Sequence, residues 1–368
     1  METGFLKSGV EEESQMATTK WIASSLRSAL GLSGGVALLA LQAQASLAYT
    51  YNSDSPDATK VFGADFAKSL GLVTAKPGIR IGVILKSLSN QYWQGIESGV
   101  KAGAKAYGVD VSVQAANSES DHTQQLTIAQ TMIGKKFDAY IVSPEASSNL
   151  TPAIKQMQEA GVPIVNTDDA RIAGSVYVGP SHELDGSQAA DFIAQHLPDG
   201  GDVAQIEGQA GSNAAILRIK GFKDGLAKHP NLKLVASVPG NWDGTLAYND
   251  TQTLLRKNPN IKAFYADNDT MAVGVAKAVS DMGLSGKVII VGTDGIPAVL
   301  DGIKKGTISA TVTPLPFYQG YWSVEAAVRL LAGQKVPDWV VAPAQLITKD
   351  NIDQYFDSDN NVKPGLYN

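Results

Sequence analysis

The chain has 368 residues, 44% hydrophobic and 18% charged, a balance that excludes an intrinsically disordered protein. A net charge of −6, with no basic stripe anywhere, argues against nucleic acid as a partner. The absence of cysteine excludes disulfides, thiol catalysis and cysteine-held metals.

Lys20 and Arg27 precede an uncharged, mostly apolar run from Ser28 to Leu41, and Ala43-Gln-Ala45 follows as a small-x-small cleavage pattern. This layout predicts a secretory signal peptide over residues 1–45. The run, about 14 residues, is shorter than the roughly 20 that a membrane span needs. Residues 46–78 read as a polar extension, with a short helix predicted over 58–70.

From Ile79 the periodicity alternates. Ile79 to Leu85 is a β-branched apolar run, predicted as a buried strand. Tyr92 to Tyr107 carries apolar residues at helical spacing, and Gly108 stops it. A strand over 109–115, a helix over 121–133 capped by Asp121, a strand over 137–142 and a helix over 148–160 follow, then strands over 162–165 and 176–178. The same alternation restarts with a helix over 184–197, a strand over 202–207 and a helix over 214–226. It continues through strands over 232–238, 263–265, 287–291 and 308–312, separated by helices over 245–256, 271–282 and 298–304. A helix over 318–331 and an extended tail close the chain. The expectation is an α/β protein with two doubly wound parallel-sheet units of similar size.

Open α/β sheets bind small molecules at the carboxyl ends of their strands. Lys86, Asn90, Tyr92 and Trp93 lie in or just after the loop that leaves the first strand. Asp168 and Asp169 follow the fourth. Asn213, Trp242, Asn268 and Asp294 follow strands of the second unit. Any one Asn-Asp or Asp-Gly pair is ordinary turn chemistry, but recurrence at strand ends in both units points to one cleft. Carboxylates and amides bond adjacent hydroxyls, and aromatic faces stack on the C–H face of a sugar ring. The set therefore suits a neutral polyhydroxylated molecule. There is no nucleophile elbow and no phosphate loop, and the four histidines lack metal-ligand spacing. No cofactor, metal or catalysis is expected. Adjacent Asp168 and Asp169 could be an acid/base pair for glycoside hydrolysis, but no third group activates them.

The motif order resembles the ribose-type sugar-binding proteins of ABC importers. The matching motifs are Asn90-Gln-Tyr-Trp93, Pro163-Ile-Val-Asn-Thr-Asp168, Arg218-Ile-Lys-Gly-Phe222, Asn241-Trp-Asp243, Ala266-Asp-Asn-Asp269 and Val291-Gly-Thr-Asp-Gly295. The resemblance implies two lobes, 79–180 plus 315–342 and 181–314 plus 343–368, that close like a hinge on a ligand. It puts three crossovers near Gly179-Pro180, Thr313-Pro314 and Ala342-Pro343, and adds Arg218 as a ligand contact or a structural arginine. It implies a periplasmic monomer that carries a sugar or polyol to the membrane subunits of an ABC permease. Three departures argue against ribose itself: Asp169 and Ile216 stand where arginines are expected, and Pro314 where a hinge glutamine is expected. Alternatives within the same fold are a sensing subunit for a chemoreceptor or sensor kinase, and a binder of a polyol-like quorum signal.

Overall fold

The computed structural model describes residues 50–363 and 365–367; the predicted signal peptide lies outside them. Among the described residues no helix is long and apolar enough to cross a membrane.

The first lobe begins with β1 (Lys60–Phe62) and α1 (Gly63–Leu70). Then come β2 (Arg80–Ser87), α2 (Gln91–Tyr107), β3 (Asp110–Ala116), α3 (His122–Gly134), β4 (Ala139–Val142), α4 (Thr151–Glu159), β5 (Ile164–Thr167) and β6 (Val176–Gly179). The chain then enters the second lobe with α5 (His182–His196), β7 (Gly201–Glu207), α6 (Asn213–Leu226), β8 (Leu232–Pro239) and α7 (Gly244–Lys257). That lobe continues through β9 (Ile261–Ala266), α8 (Asp269–Asp281), β10 (Ile289–Thr293), α9 (Pro297–Lys305) and β11 (Ala310–Thr313). It returns to the first lobe for α10 (Pro316–Leu331) and β12 (Trp339–Val341), and ends with β13 (Gln345–Thr348) and α11 (Ile352–Tyr355).

One sheet has seven strands in the order β1-β12-β6-β5-β4-β2-β3, and the other has six in the order β13-β11-β10-β9-β7-β8. Neighbours are parallel except β11 and β13, which run antiparallel. The chain therefore passes between sheets three times, after β6, after β11 and after β12, each time beside a proline. At the second passage Leu315 takes a left-handed φ of 54°. Helices cover both faces, so strand interiors such as Ile81–Leu85 are wholly buried.

The extension supplies β1 and α1. Residues 60–62, predicted as helix, pair with Trp339–Val341 instead. The partner strand lies far along the chain, so local pattern carries no sign of it. Trp322 of α10 packs against Gly63, and Arg329 donates to the Gly71 carbonyl at 2.7 Å.

Helices α2 and α10 pack backbone to backbone. A Cβ at Gly99 would meet the Phe317 carbonyl, and one at Gly320 would meet the Ile96 carbonyl. Helices α5 and α6 meet the same way through Gly186 and Gly221. Backbone cannot yield as a side-chain tip can, so we expect Gly99→Val to cost about 2 kcal/mol or more in urea unfolding. An unchanged midpoint would show that the helix pair tolerates separation.

Candidate functional site

The carboxyl ends of both sheets face one small cavity. On the first-lobe side, Lys86 ends buried at the edge of β2, its ammonium paired with Asp169 and 5.5 Å from the Trp93 ring centre. Asn90 caps α2: its Oδ1 accepts from the Tyr92 backbone N–H at 2.9 Å. Its Nδ2 donates to Glu119 at 2.7 Å, which turns the amide into the cleft. Tyr92 and Trp93 meet edge to face, 5.1 Å between centres, and the Tyr92 hydroxyl donates to Gln319 of α10 at 3.2 Å.

Asp168 and Asp169 leave β5 with left-handed φ angles of 55° and 26°. Such backbone costs roughly 1–3 kcal/mol per residue and persists where surrounding contacts hold it. Here the hold is visible. Asp169 Oδ1 accepts from the Ala214 backbone N–H at 2.8 Å, and Oδ2 accepts from Ser212 Oγ at 2.9 Å. A first-lobe carboxylate thus sits on the positive amino end of second-lobe helix α6.

On the second-lobe side, Trp242 (φ 64°) packs against Gly208, where a Cβ would strike the indole. Its Nε1 is buried without a hydrogen-bond partner among the described residues. Asn268 caps α8, accepting from the Met271 backbone N–H at 2.9 Å. Arg218, 3% exposed, donates to the Asp267 carbonyl at 2.8 Å and lies 3.6 Å from Asp294 Oδ1. Asp294, just past β10, has a φ of 141°.

Burial sets the electrostatics. It pushes Asp294 well above the usual carboxylate range, helped by Asp269, Asp168 and Glu119 and opposed by Arg218. It pushes Asp267 up to about 7 and Asp269 up to about 6. Burial works on Asp168 in the same sense, but His182, Arg218 and Lys86 outweigh it and hold that carboxyl below its usual range. Burial also lowers Lys86, against the pull of Glu119, Asp168 and Glu145. The cavity thus offers carboxyl groups of differing proton affinity, amides, a guanidinium and aromatic rings, a set whose chemistry suits hydroxyl groups.

Residues 81–335 match the family described as periplasmic binding protein domain. The chain belongs to this family. The D-allose-binding periplasmic protein of Escherichia coli K12 is 34% identical over 283 residues, covering 73% of this chain and 91% of the relative. The D-ribose/D-allose-binding protein of Pseudomonas aeruginosa is 31% identical, covering 73% and 88%. Among solved structures, an ABC transporter periplasmic solute-binding protein of Actinobacillus succinogenes 130z with bound D-allose superposes with a TM-score of 0.72. It is 33% identical and covers 76% of this chain and all of that one. The extension, with β1 and α1, precedes the stretch that matches the family.

Within this binding-protein frame the cavity is lined by Lys86, Asn90, Tyr92, Trp93, Asp168, Asp169, Arg218, Trp242, Asn268 and Asp294. Of the predicted residues, Asn213 alone lies off the lining; its Nδ2 donates to the Asp169 carbonyl at 3.3 Å. Ile216, which stands where the resemblance puts an arginine in the family, is 54% exposed, whereas Arg218 lines the cavity. One turn of α6 turns outward at 216 and inward at 218, so the cavity keeps its arginine. Glu119 and Ala214 also line the cavity. Glu119 follows β3, so the strand-end rule applied to that strand finds it. Ala214 contributes through its backbone N–H, which no side-chain pattern reveals.

Behind Lys86, Glu145 is 1% exposed, and neither carboxylate oxygen has a hydrogen-bond partner among the described residues. Burial pushes it up to about 8, against Lys86. The unfolded chain ionises Glu145 near the ordinary value of about 4.3. This residue therefore makes stability fall as pH rises from about 4.3 towards 8. Glu145→Gln removes that loss: thermal unfolding should show the variant close to wild type near pH 5 and about 2 °C or more above it near pH 9. Parallel curves at both pH values would contradict a buried neutral carboxyl.

Proposed function

We propose that this chain is the solute-binding component of a sugar ABC importer that captures a monosaccharide or sugar alcohol between its lobes. One observation carries the reading. Aromatic faces from both lobes, Tyr92 and Trp93 against Trp242, enclose a cavity whose remaining lining is carboxylates, amides, a lysine and an arginine. D-Allose stands in the names of both relatives at 31–34% identity, which supports an aldohexose and makes D-allose the first candidate. Lys86 and Asp169 bond each other in the wall, so one lysine–carboxylate pair faces the ligand in place of a lone cation.

The mechanism is closure, not catalysis. A ligand that touches Asp168 in one lobe and Trp242, Asn268 and Asp294 in the other gains contacts only when the lobes meet. Its differential affinity for the closed form drives the shift. The closed protein then docks on the membrane subunits of its permease. We read the chain as a monomer exported to the periplasm through its amino-terminal signal.

A thermal-shift screen of pentoses, hexoses, tetritols and hexitols identifies the ligand class, because a ligand at a hundredfold excess over Kd adds about 2.7 kcal/mol of stability. Trp242→Ala and Asp168→Ala should each weaken D-allose binding by about 2 kcal/mol or more in calorimetry. Unchanged affinity in both would remove the site assignment, and turnover of any sugar would remove the binding mechanism.

A further inference from the structure

Two second-lobe helices take a cap from the first lobe. The first N–H groups of any helix have no acceptor within it. In α6 the capping residue Ser212 accepts from the Ala215 N–H at 3.5 Å, which leaves the Ala214 N–H to another acceptor. That acceptor is Asp169 Oδ1, at 2.8 Å. In α9 the capping position is held by Ile296, which makes no side-chain cap. The Ala298 N–H, second in that helix, donates to Gln91 Oε1 at 3.4 Å. Asp169 follows β5 and Gln91 opens α2, so both acceptors come from the lobe opposite the helix they cap.

The seat of Asp169 is built entirely from protein groups. Ser212 Oγ donates to Oδ2 at 2.9 Å, the Lys86 ammonium pairs with the same oxygen, and Asn213 Nδ2 donates to the Asp169 main-chain carbonyl at 3.3 Å. The residue is wholly buried. Lys86 belongs to the first lobe and can stay with Asp169 when the lobes part. The bonds from Ser212, Asn213 and Ala214 exist only when the lobes meet, and none of them passes through a ligand. A charged acceptor at the amino end of a helix gains from the aligned peptide dipoles as well as from the bond itself.

We propose that Asp169, assisted by Gln91, is a positioning residue for lobe closure: each caps a helix of the opposite lobe, so the chain stabilises its own closed form before a ligand enters. The proposal rests on the reading that the two lobes close on a solute. Apparent affinity then carries a factor common to every ligand, the fraction of ligand-free chain already closed. Selectivity among ligands stays with the other groups of the lining.

The test compares the full chain with Asp169→Asn and with the double variant Ser212→Gly/Gln91→Ala, each checked for a wild-type circular dichroism spectrum. The double variant cuts the latch outside the cavity lining, and glycine caps a helix nearly as well as serine. Amide hydrogen exchange of the ligand-free proteins, read by NMR, reports closure at Ala214 and Ala298, whose N–H groups meet water once the lobes part. The Ala214 amide should exchange about tenfold faster in Asp169→Asn than in wild type, and both amides about threefold faster in the double variant. The Val83 amide, inside β2, should keep its rate in all three chains. Equal rates at Ala214 in the three chains, or an acceleration matched at Val83, would overturn the proposal. Calorimetry with D-allose and each other monosaccharide that binds should find the double variant weaker by about threefold, with the same factor for every sugar. Unchanged affinity, or a factor that differs from sugar to sugar, would also overturn it. If no monosaccharide binds wild type, the sugar reading falls and the exchange rates still decide the latch.

Discussion

Asp169 carries its charge out of water at the junction of the two lobes. Burying a carboxylate is tolerable only when every lone pair finds a partner. Its partners come from three places: Lys86 at the end of β2, the Ser212 hydroxyl, and the Ala214 N–H at the amino end of α6. Much of the cleft follows from that demand. The chain after β5 must bend into left-handed conformation for the carboxylate to reach across, and it does so at Asp168 and Asp169. Lys86 must keep its ammonium inside the wall. Helix α6 must begin with its N–H groups aimed at the opposite lobe, which also brings Arg218, one turn later, into the cavity lining.

Backbone strain collects in the same place. Asp168, Asp169, Trp242 and Asp294 all line the cavity, and all hold positive φ angles as non-glycine residues. Strand ends that turn sharply into helix starts expose side chains to the cleft at the cost of local strain, and packing elsewhere holds them there. Helices α2 with α10 and α5 with α6 are in backbone contact through glycines, so neither pair can slide without collision.

Charge in the cleft is balanced by burial as much as by pairing. Carboxylates outnumber lysine and arginine along the lining. Burial raises the proton affinity of Asp294, while His182, Arg218 and Lys86 lower that of Asp168.

Local pattern determined a great deal of this protein. Runs such as Ile79–Leu85 and the capped helix from Gln91 declare a wound α/β chain, because buried parallel strands are continuously apolar and helix ends need caps. Asn90, Tyr92, Trp93, Asp168, Asn268 and Asp294 were legible as lining because they stand at strand ends, where that architecture always exposes side chains. Glu119 was legible on the same rule. What only the tertiary structure decided depends on distant partners. β1 exists because Trp339–Val341 offers it a ladder, and nothing near Lys60 encodes that. Asn213 turns aside while the neighbouring Ala214 N–H serves the cleft, because Asp169 from the other lobe claims the helix end. His182 stands in sequence just before the helix predicted from Leu184, one of four histidines without metal-ligand spacing. Only the fold sets its two nitrogens between carboxylates that lie fourteen residues before it and three after it, and proximity of that kind is a property of packing, not of spacing.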